Sequence, residues 1–246
     1  MNVISIDINA DVGEGINNEA ALLPLISSCN IACGGHAGSV DTMRAVVKLA
    51  KQHRVKIGAH PSFPDKENFG RQIMKMPYAA LYTSIKGQIK SLMNIVRAEH
   101  AAMHHVKPHG ALYNLAATDL DTAKVIVEVM KSIALPLELY VPYGSMIADL
   151  AVKENIPIMY EAFADRNYNE DLSLVSRSQK TALILNAEDM FKHVHQMIKQ
   201  QKVTTISGVE VALKASTFCI HGDNPKALIL AQNLREKLSN CSIKIQ

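Results

Sequence analysis

Seven short runs rich in β-branched and apolar residues recur along the chain, and between them lie longer segments whose apolar residues repeat with helical period. The runs are 3–9 (VISIDIN), 27–33 (SSCNIAC), 55–60 (VKIGAH), 104–109 (HHVKPH), 137–142 (LELYVP), 156–163 (IPIMYEAF) and 217–223 (TFCIHGD). In 39–53, Met43, Val46, Val47 and Ala50 share one face, and in 82–98 Ile85, Ile89, Leu92 and Val96 do the same. Further helices are expected over 120–133, 145–154, 187–201 and 225–239, the last behind Asn224 and Pro225, a pair suited to a cap and a first turn. Such alternation requires parallel strands joined by helical crossovers. Seven units predict an α/β fold built as a closed or nearly closed, TIM-like (β/α) barrel. A length of 246 residues with 48% hydrophobic content suits a single domain, 1–246, around one large core. One stretch, 204–213 (TTISGVEVAL), reads instead as a hairpin turning at Ser207 and Gly208.

Charge excludes several function classes. The 26 Lys and Arg against 23 Asp and Glu leave a net +3 without a long basic or acidic block, which argues against nucleic acid and membrane surfaces as partners. The first fifteen residues carry acids where a signal peptide needs a basic segment and an apolar run, and no apolar stretch approaches the roughly 18 residues of a membrane span. A soluble, cytoplasmic protein is expected. The four cysteines, Cys29, Cys33, Cys219 and Cys241, make neither a disulfide framework nor a zinc-type pair, so buried reduced thiols are expected, with Cys33 singled out by its neighbours.

In a parallel barrel the C-terminal ends of all strands meet on one face. That face would collect Asn9, Asp11 and Glu14 after the first run, Cys33 and His36 after the second, and His60 after the third, with Asp65 and Arg71 in the polar loop 61–72. It would also collect Lys107 and His109, then Glu161, Asp165 and Arg166, then His221 and Asp223. Four of the ten histidines fall there, each with a glycine close by in sequence; His53, His100, His104, His105, His193 and His195 read as solvated or packed. The segment 32–38 (ACGGHAG) either presents amides at a helix start or is a plain tight turn. Carboxylates and histidines together support acid-base hydrolysis, and the same set could hold a divalent metal through Asp11, His60 and His109; spacing alone does not decide. Lys107, Arg71 and Arg166 imply a small acidic substrate if they point inward, and salt bridges to Glu161 or Asp165 if they do not. There is no GxxxxGK[ST] loop, and DVGEGI is too short for a dinucleotide fingerprint.

Six segments, DINADVGEG, NIACGGHAG, IGAHPSFPD with FGR, VKPHGALYN, EAFADRNY and CIHGDNP, occur in order over nearly the whole chain. Together they resemble the LamB/YcsF family, whose members serve as the A subunit of bacterial ATP-dependent 5-oxoprolinase. The resemblance implies a seven-stranded barrel related to the polysaccharide-deacetylase and YdjC-like barrels. It implies ring opening of 5-oxo-L-proline to L-glutamate, with ATP used by a complex containing subunits B and C. Carried over position by position, it makes Asp11 the general base with Glu14 beside it. His60 and His109 orient water or shuttle protons, and Lys107 stabilises charge on the activated oxygen. Arg71 or Arg166 holds the substrate carboxylate, and Asn9, His36, Glu161, Asp165 and His221 complete the binding set. Self-association stays open.

The chain departs from related patterns at three places. Val12 follows Asp11 where deacetylase barrels carry a second acid, Gly35 stands where the family has a bulky residue, and 171–177 reads DLSLVSR where the family has DGxLVPR. The alternative is a metal-dependent deacetylase of a sugar amide, although 5% aromatic content with no tryptophan ill suits a long sugar groove. A non-enzymatic metabolite-binding barrel would have no use for so many charges at its strand ends.

Overall fold

A computed structural model describes residues 4–246. Its strands are β1 (Ile4–Val12), β2 (Ser28–Ala32), β3 (Lys56–His60), β4 (Met103–Val106), β5 (Glu138–Pro142), β6 (Ile158–Phe163), β7 (Lys202–Thr204), β8 (Glu210–Ala212), β9 (Thr217–Ile220) and β10 (Ile243–Ile245). Its helices are α1 (Glu19–Leu22), α2 (Val40–His53), α3 (Tyr78–Ala98), α4 (Gly110–Thr118), α5 (Leu120–Lys131), α6 (Met146–Lys153), α7 (Ala187–Gln200) and α8 (Ala227–Asn240). Strands β1 to β6 pair in sequence order, all parallel, and β9 pairs with both β6 and β1, which closes a seven-stranded barrel. Residues 204–213 do turn back, as the β7–β8 antiparallel ladder.

The helices that close the crossovers bury the faces their periodicity marks: Met43, Val46, Val47 and Ala50 of α2, and Ile85, Ile89, Leu92 and Val96 of α3, are all buried. Ser39 caps α2 by accepting a hydrogen bond from the Thr42 amide, and Asp119 does the same for α5 from Thr122.

Several expectations need correction. Of the first run, expected at 3–9, Val3 lies outside the described residues, and the strand continues past Asn9 to Val12. The Asn224–Pro225 pair does not cap α8, which begins at Ala227. Asn224 instead holds the turn just before it, its Oδ1 accepting from the Lys226 amide at 3.0 Å while its Nδ2 donates to Asp165 at 3.0 Å. Helices α1 and α4 and strand β10 carry no usable sequence signal. The first has four residues and the last three, while GALYNLAAT of α4 is short and mostly small. Strand β10 lies outside the ring, against the beginning of β1.

Alternation along β1 sets the character of the interior. Ile6, Ile8, Ala10 and Val12 face the helical layer, so Asp7, Asn9 and Asp11 face the lumen. Facing them are Ser28 and Asn30 of β2, Thr217 of β9, Glu161 of β6 and His105 of β4. Barrel lumens of this class are usually filled by branched apolar residues; this one is a ladder of polar side chains. Gly58 of β3 is part of it, since a Cβ there would lie 2.1 Å from the His105 imidazole.

Candidate active site

The C-terminal mouth of the barrel opens into a cavity of about 690 Å³. Asp11, Glu14, His60, Arg71, Lys107, His109, Glu161, Arg166 and His221 line it, whereas Asn9, His36 and Asp165 are buried behind its wall.

Lys107 follows directly on β4 and reaches into the top of the lumen, where it is buried. Its ammonium lies 2.9 Å from Asp11 Oδ1 and 2.9 Å from Glu161 Oε1, and it donates to Cys219 Sγ at 3.1 Å. Burial works to discharge the amine, but Asp11, Cys219 and Glu161 outweigh it and hold the group well above the usual lysine range. Burial likewise opposes ionisation of Asp11, and His60 and Lys107 overcome it, so that carboxyl sits well below its ordinary range. Asn9 lies under this pair, donating to Glu161 Oε1 at 2.9 Å and to Thr217 at 2.7 Å. It supports the site from below.

Two glycines allow the histidine side of the cavity to assemble. Gly110 has φ +55°, and a Cβ there would lie 2.7 Å from the Gly70 carbonyl that accepts from the Ala111 amide. Gly70 has φ +65°, with His36, His109 and Ser62 around it. Across this contact His109 meets His60, with His109 Nδ1 2.9 Å from His60 Nε2. The outer nitrogens are pinned to backbone: His60 Nδ1 lies 2.7 Å from the Lys107 carbonyl and His109 Nε2 3.0 Å from that of Phe69. Glu14 joins them, its Oε1 at 3.4 Å from His109 Nδ1 and 2.9 Å from His36 Nε2. His36 stacks flat on His109, with centroids 3.7 Å apart. Burial lowers the basicity of both His36 and His109, and His60 pushes each in the same direction.

His221 is held from behind by Asp165, which accepts from its Nδ1 at 2.8 Å and from its backbone amide at 3.2 Å. Burial alone would raise the Asp165 carboxyl; His221 and Asn224 hold it below the usual range. Asp165 thus fixes a tautomer and leaves the other nitrogen of His221 toward the cavity.

The arginines divide. Arg166 braces the loop between β6 and α7, donating from Nε to Ala182 O at 3.3 Å and from Nη2 to Val175 O at 2.7 Å. Arg71 stands at the rim and binds Asp223 at 2.9 Å, and Arg177 binds the same carboxylate at 2.7 Å. Two guanidinium groups therefore share one acid at the mouth.

Sequence reasoning missed Arg177, which belongs to the divergent DLSLVSR segment, and Tyr113, which lies inside VKPHGALYN. The Tyr113 hydroxyl and Glu161 Oε2 both border the cavity and have no hydrogen-bond partner among the described residues. Burial and the Glu161 charge push the Tyr113 phenol well up. Cys33 is buried, and burial pushes its thiol up to about 12, away from the thiolate. Cys29 and Cys219 are buried as expected, but Cys241 is exposed. At Gly35 a Cβ would lie 2.3 Å from Ser62 Oγ and 2.4 Å from Gln88 Oε1, so a side chain at this position requires Ser62 and Gln88 to move.

Among the described residues no helix is long and apolar enough to cross a membrane. The LamB/YcsF family profile matches residues 6–246. A protein of Bacillus cereus (strain Q1), named as the A subunit of 5-oxoprolinase, is 43% identical over 247 aligned positions, 98% of each chain. A Bacillus cytotoxicus protein of the same name is 44% identical over 94% of each. The crystal structure of a lactam utilization protein from Thermus thermophilus superposes with a TM-score of 0.91 at 36% identity, covering 99% of both chains. A family 4 carbohydrate esterase from Streptomyces lividans shares the barrel alone, with a TM-score of 0.53 at 8% identity over 98% of this chain and 91% of that one. With the family profile spanning nearly every residue and relatives this similar along their whole lengths, the chain belongs to the LamB/YcsF family.

Proposed function

We propose that this chain is the hydrolytic subunit of an ATP-dependent 5-oxoprolinase, opening 5-oxo-L-proline to L-glutamate in the cytoplasm together with subunits B and C. The observation that carries the reading is the buried Lys107 cation on the floor of a small polar cavity, in a chain whose relatives are named as the A subunit of 5-oxoprolinase. The cation excess at the rim, Arg71 and Arg177 against Asp223, suits an acidic small molecule.

A lactam carbonyl is a poor electrophile. Transfer of a phosphoryl group from ATP to its oxygen, with release of ADP, leaves a ring carbon that water can attack; the partner subunits supply that step. Water then adds to the ring carbon, the carbon–nitrogen bond breaks as the nitrogen takes up a proton, and a second water releases phosphate. Asp11 Oδ1 is committed to Lys107 and Asn30, so Oδ2 is the oxygen that takes the proton from water. Lys107 offsets charge on the activated oxygen. As that charge develops, Lys107 divides its attraction between the substrate and Asp11, and Asp11 regains basicity when the proton arrives. His60 and His109 place the attacking water, and His221 contacts the substrate from the opposite side. Arg71 receives the substrate carboxylate in preference to Arg166, whose Nε and Nη2 are bound to backbone carbonyls.

The test is reconstitution: the purified chain is mixed with its candidate B and C partners, and glutamate release from 5-oxoproline is followed with and without ATP. Release that needs ATP and this chain is expected. Release that proceeds equally well without the chain ends the reading.

A further inference from the structure

The arrangement of lone pairs around His60 and His109 has no explanation in hydrogen bonding alone. Carbonyl oxygens only accept, so His60 Nδ1, facing Lys107 O, and His109 Nε2, facing Phe69 O, must each carry the ring hydrogen. The remaining nitrogens then point bare lone pairs at one another across 2.9 Å. Glu14 Oε1 brings a carboxylate oxygen to the same point, 3.4 Å from His109 Nδ1 and 3.9 Å from His60 Nε2. Asp11 Oδ2 stands 3.3 Å from His60 Nε2 on the other side, and His60, His109 and Glu14 form a triangle of acceptors that a positive charge relieves. A proton on one imidazole satisfies one edge of this triangle; a cation at its centre satisfies all three.

We propose that Glu14, His60 and His109 bind a single divalent transition-metal ion with zinc-like preferences, and that His36 positions Glu14 for it. A tetrahedral ion with bonds of 2.0–2.1 Å holds its ligand atoms about 3.3 Å apart, and the separations of 2.9, 3.4 and 3.9 Å lie around that value. The His60 and His109 rings are nearly perpendicular, at 85°, so their in-plane lone pairs can meet at one point. Each ring is anchored by the outer N–H···O=C bond that metal-bound histidines use to fix their tautomer. His36 is excluded as a ligand beside His109, because the two rings are parallel to within 3° and one ion cannot lie in both planes. Instead its Nε2 donates to Glu14 Oε1 at 2.9 Å, which leaves Nδ1 buried without a partner among the described residues.

This set differs from the Asp11, His60 and His109 trio expected from the sequence. Asp11 Oδ1 is taken by the Lys107 ammonium and the Asn30 amide and its Oδ2 lies 3.3 Å from His60 Nε2, while Glu14 has no lysine or arginine partner among the described residues. The fourth position faces the cavity. His60 and His109 also belong to the proposed reaction, so ion binding is read by metal titration and not by turnover.

The test uses the full chain stripped of metal by a chelator and then titrated with Zn²⁺ by calorimetry and with Co²⁺ by visible absorption. Expected are one bound Zn²⁺ per chain and an intense Co²⁺ spectrum of low coordination number with nitrogen and oxygen donors. His60→Gln and His109→Gln should each weaken binding by at least ~100-fold, and His36→Gln by ~10–100-fold, with circular dichroism confirming the fold. Should a histidine variant fail to fold, Glu14→Gln, at the cavity edge, gives the same reading. Absence of stoichiometric binding at micromolar Zn²⁺, or binding that His109→Gln and Glu14→Gln leave unchanged, overturns the proposal.

Discussion

Lys107 carries two burdens that substitution separates. Replacing it with methionine leaves Asp11 and Glu161 facing each other in a buried site without their shared cation. Breaking a buried pair from one side costs about 3–5 kcal/mol, so Lys107→Met should lower the urea midpoint markedly as well as abolish turnover in the reconstituted complex. An unchanged midpoint would mean that the two carboxylates are not both ionised. Tyr113 gives the contrasting case. Its hydroxyl has no partner among the described residues, so Tyr113→Phe should leave the melting temperature within about 2 °C, less than ~1 kcal/mol for a domain of this size. If the hydroxyl and Glu161 wait for substrate, the same variant should raise KM or lower kcat several-fold. Wild-type kinetics would remove Tyr113 from the site.

Elements whose identity follows from periodicity were legible, and elements placed by a single contact were not. Seven strands and six helices could be read because their apolar faces repeat often enough to be distinguished, and the strand-end rule then gathered Asp11, His60, Lys107 and Glu161 on one face. Tyr113 and Arg177 escaped because the path of α4 and of the loop between β6 and α7 decides where they point. The polar lumen was visible in principle, as Asp7, Asn9 and Asp11 spaced two apart, but only closure of the barrel tells that this face turns inward. Helix α4 depends on Gly110, whose positive φ and contact with the Gly70 carbonyl start it against loop 61–72. Gly110→Ala should cost roughly 2 kcal/mol or more from the left-handed conformation and the backbone collision, a fall of roughly 4–8 °C in melting temperature. Since His109 is the residue that precedes it, zinc affinity should fall in parallel. A variant with full thermal stability would show that the turn can adopt another path.

Across the whole molecule the lumen acts as one hydrogen-bonded column whose middle and base respond to pH in opposite senses. In its middle, His105 donates from Nε2 to Asn30 and stacks on Tyr140. Burial, then His104 and Lys107, holds its basicity well below 6.5. The unfolded chain therefore takes up a proton near pH 6.5 that the folded chain refuses, and stability falls as the medium becomes more acid than that. At the base, Asp7 Oδ1 accepts from Ser28 and Thr217, while its other oxygen has no hydrogen-bond partner among the described residues and lies 3.7 Å from Lys56. Burial raises this carboxyl in spite of those contacts and of Lys56 and His104. A raised acid contributes its stability at low pH and loses it as pH rises through the folded-state value, so Asp7 weakens the fold as the medium becomes more alkaline. Asp7→Asn keeps an oxygen for Ser28 and Thr217 and removes the charge. Urea unfolding of the variant should show a higher midpoint than the parent at pH 8 and a difference that shrinks toward pH 4, while both midpoints fall between pH 7 and pH 5.5 through His105. A variant less stable than the parent at pH 8 would mean that the ion pair with Lys56 outweighs burial, and the base of the barrel would then be held by charge.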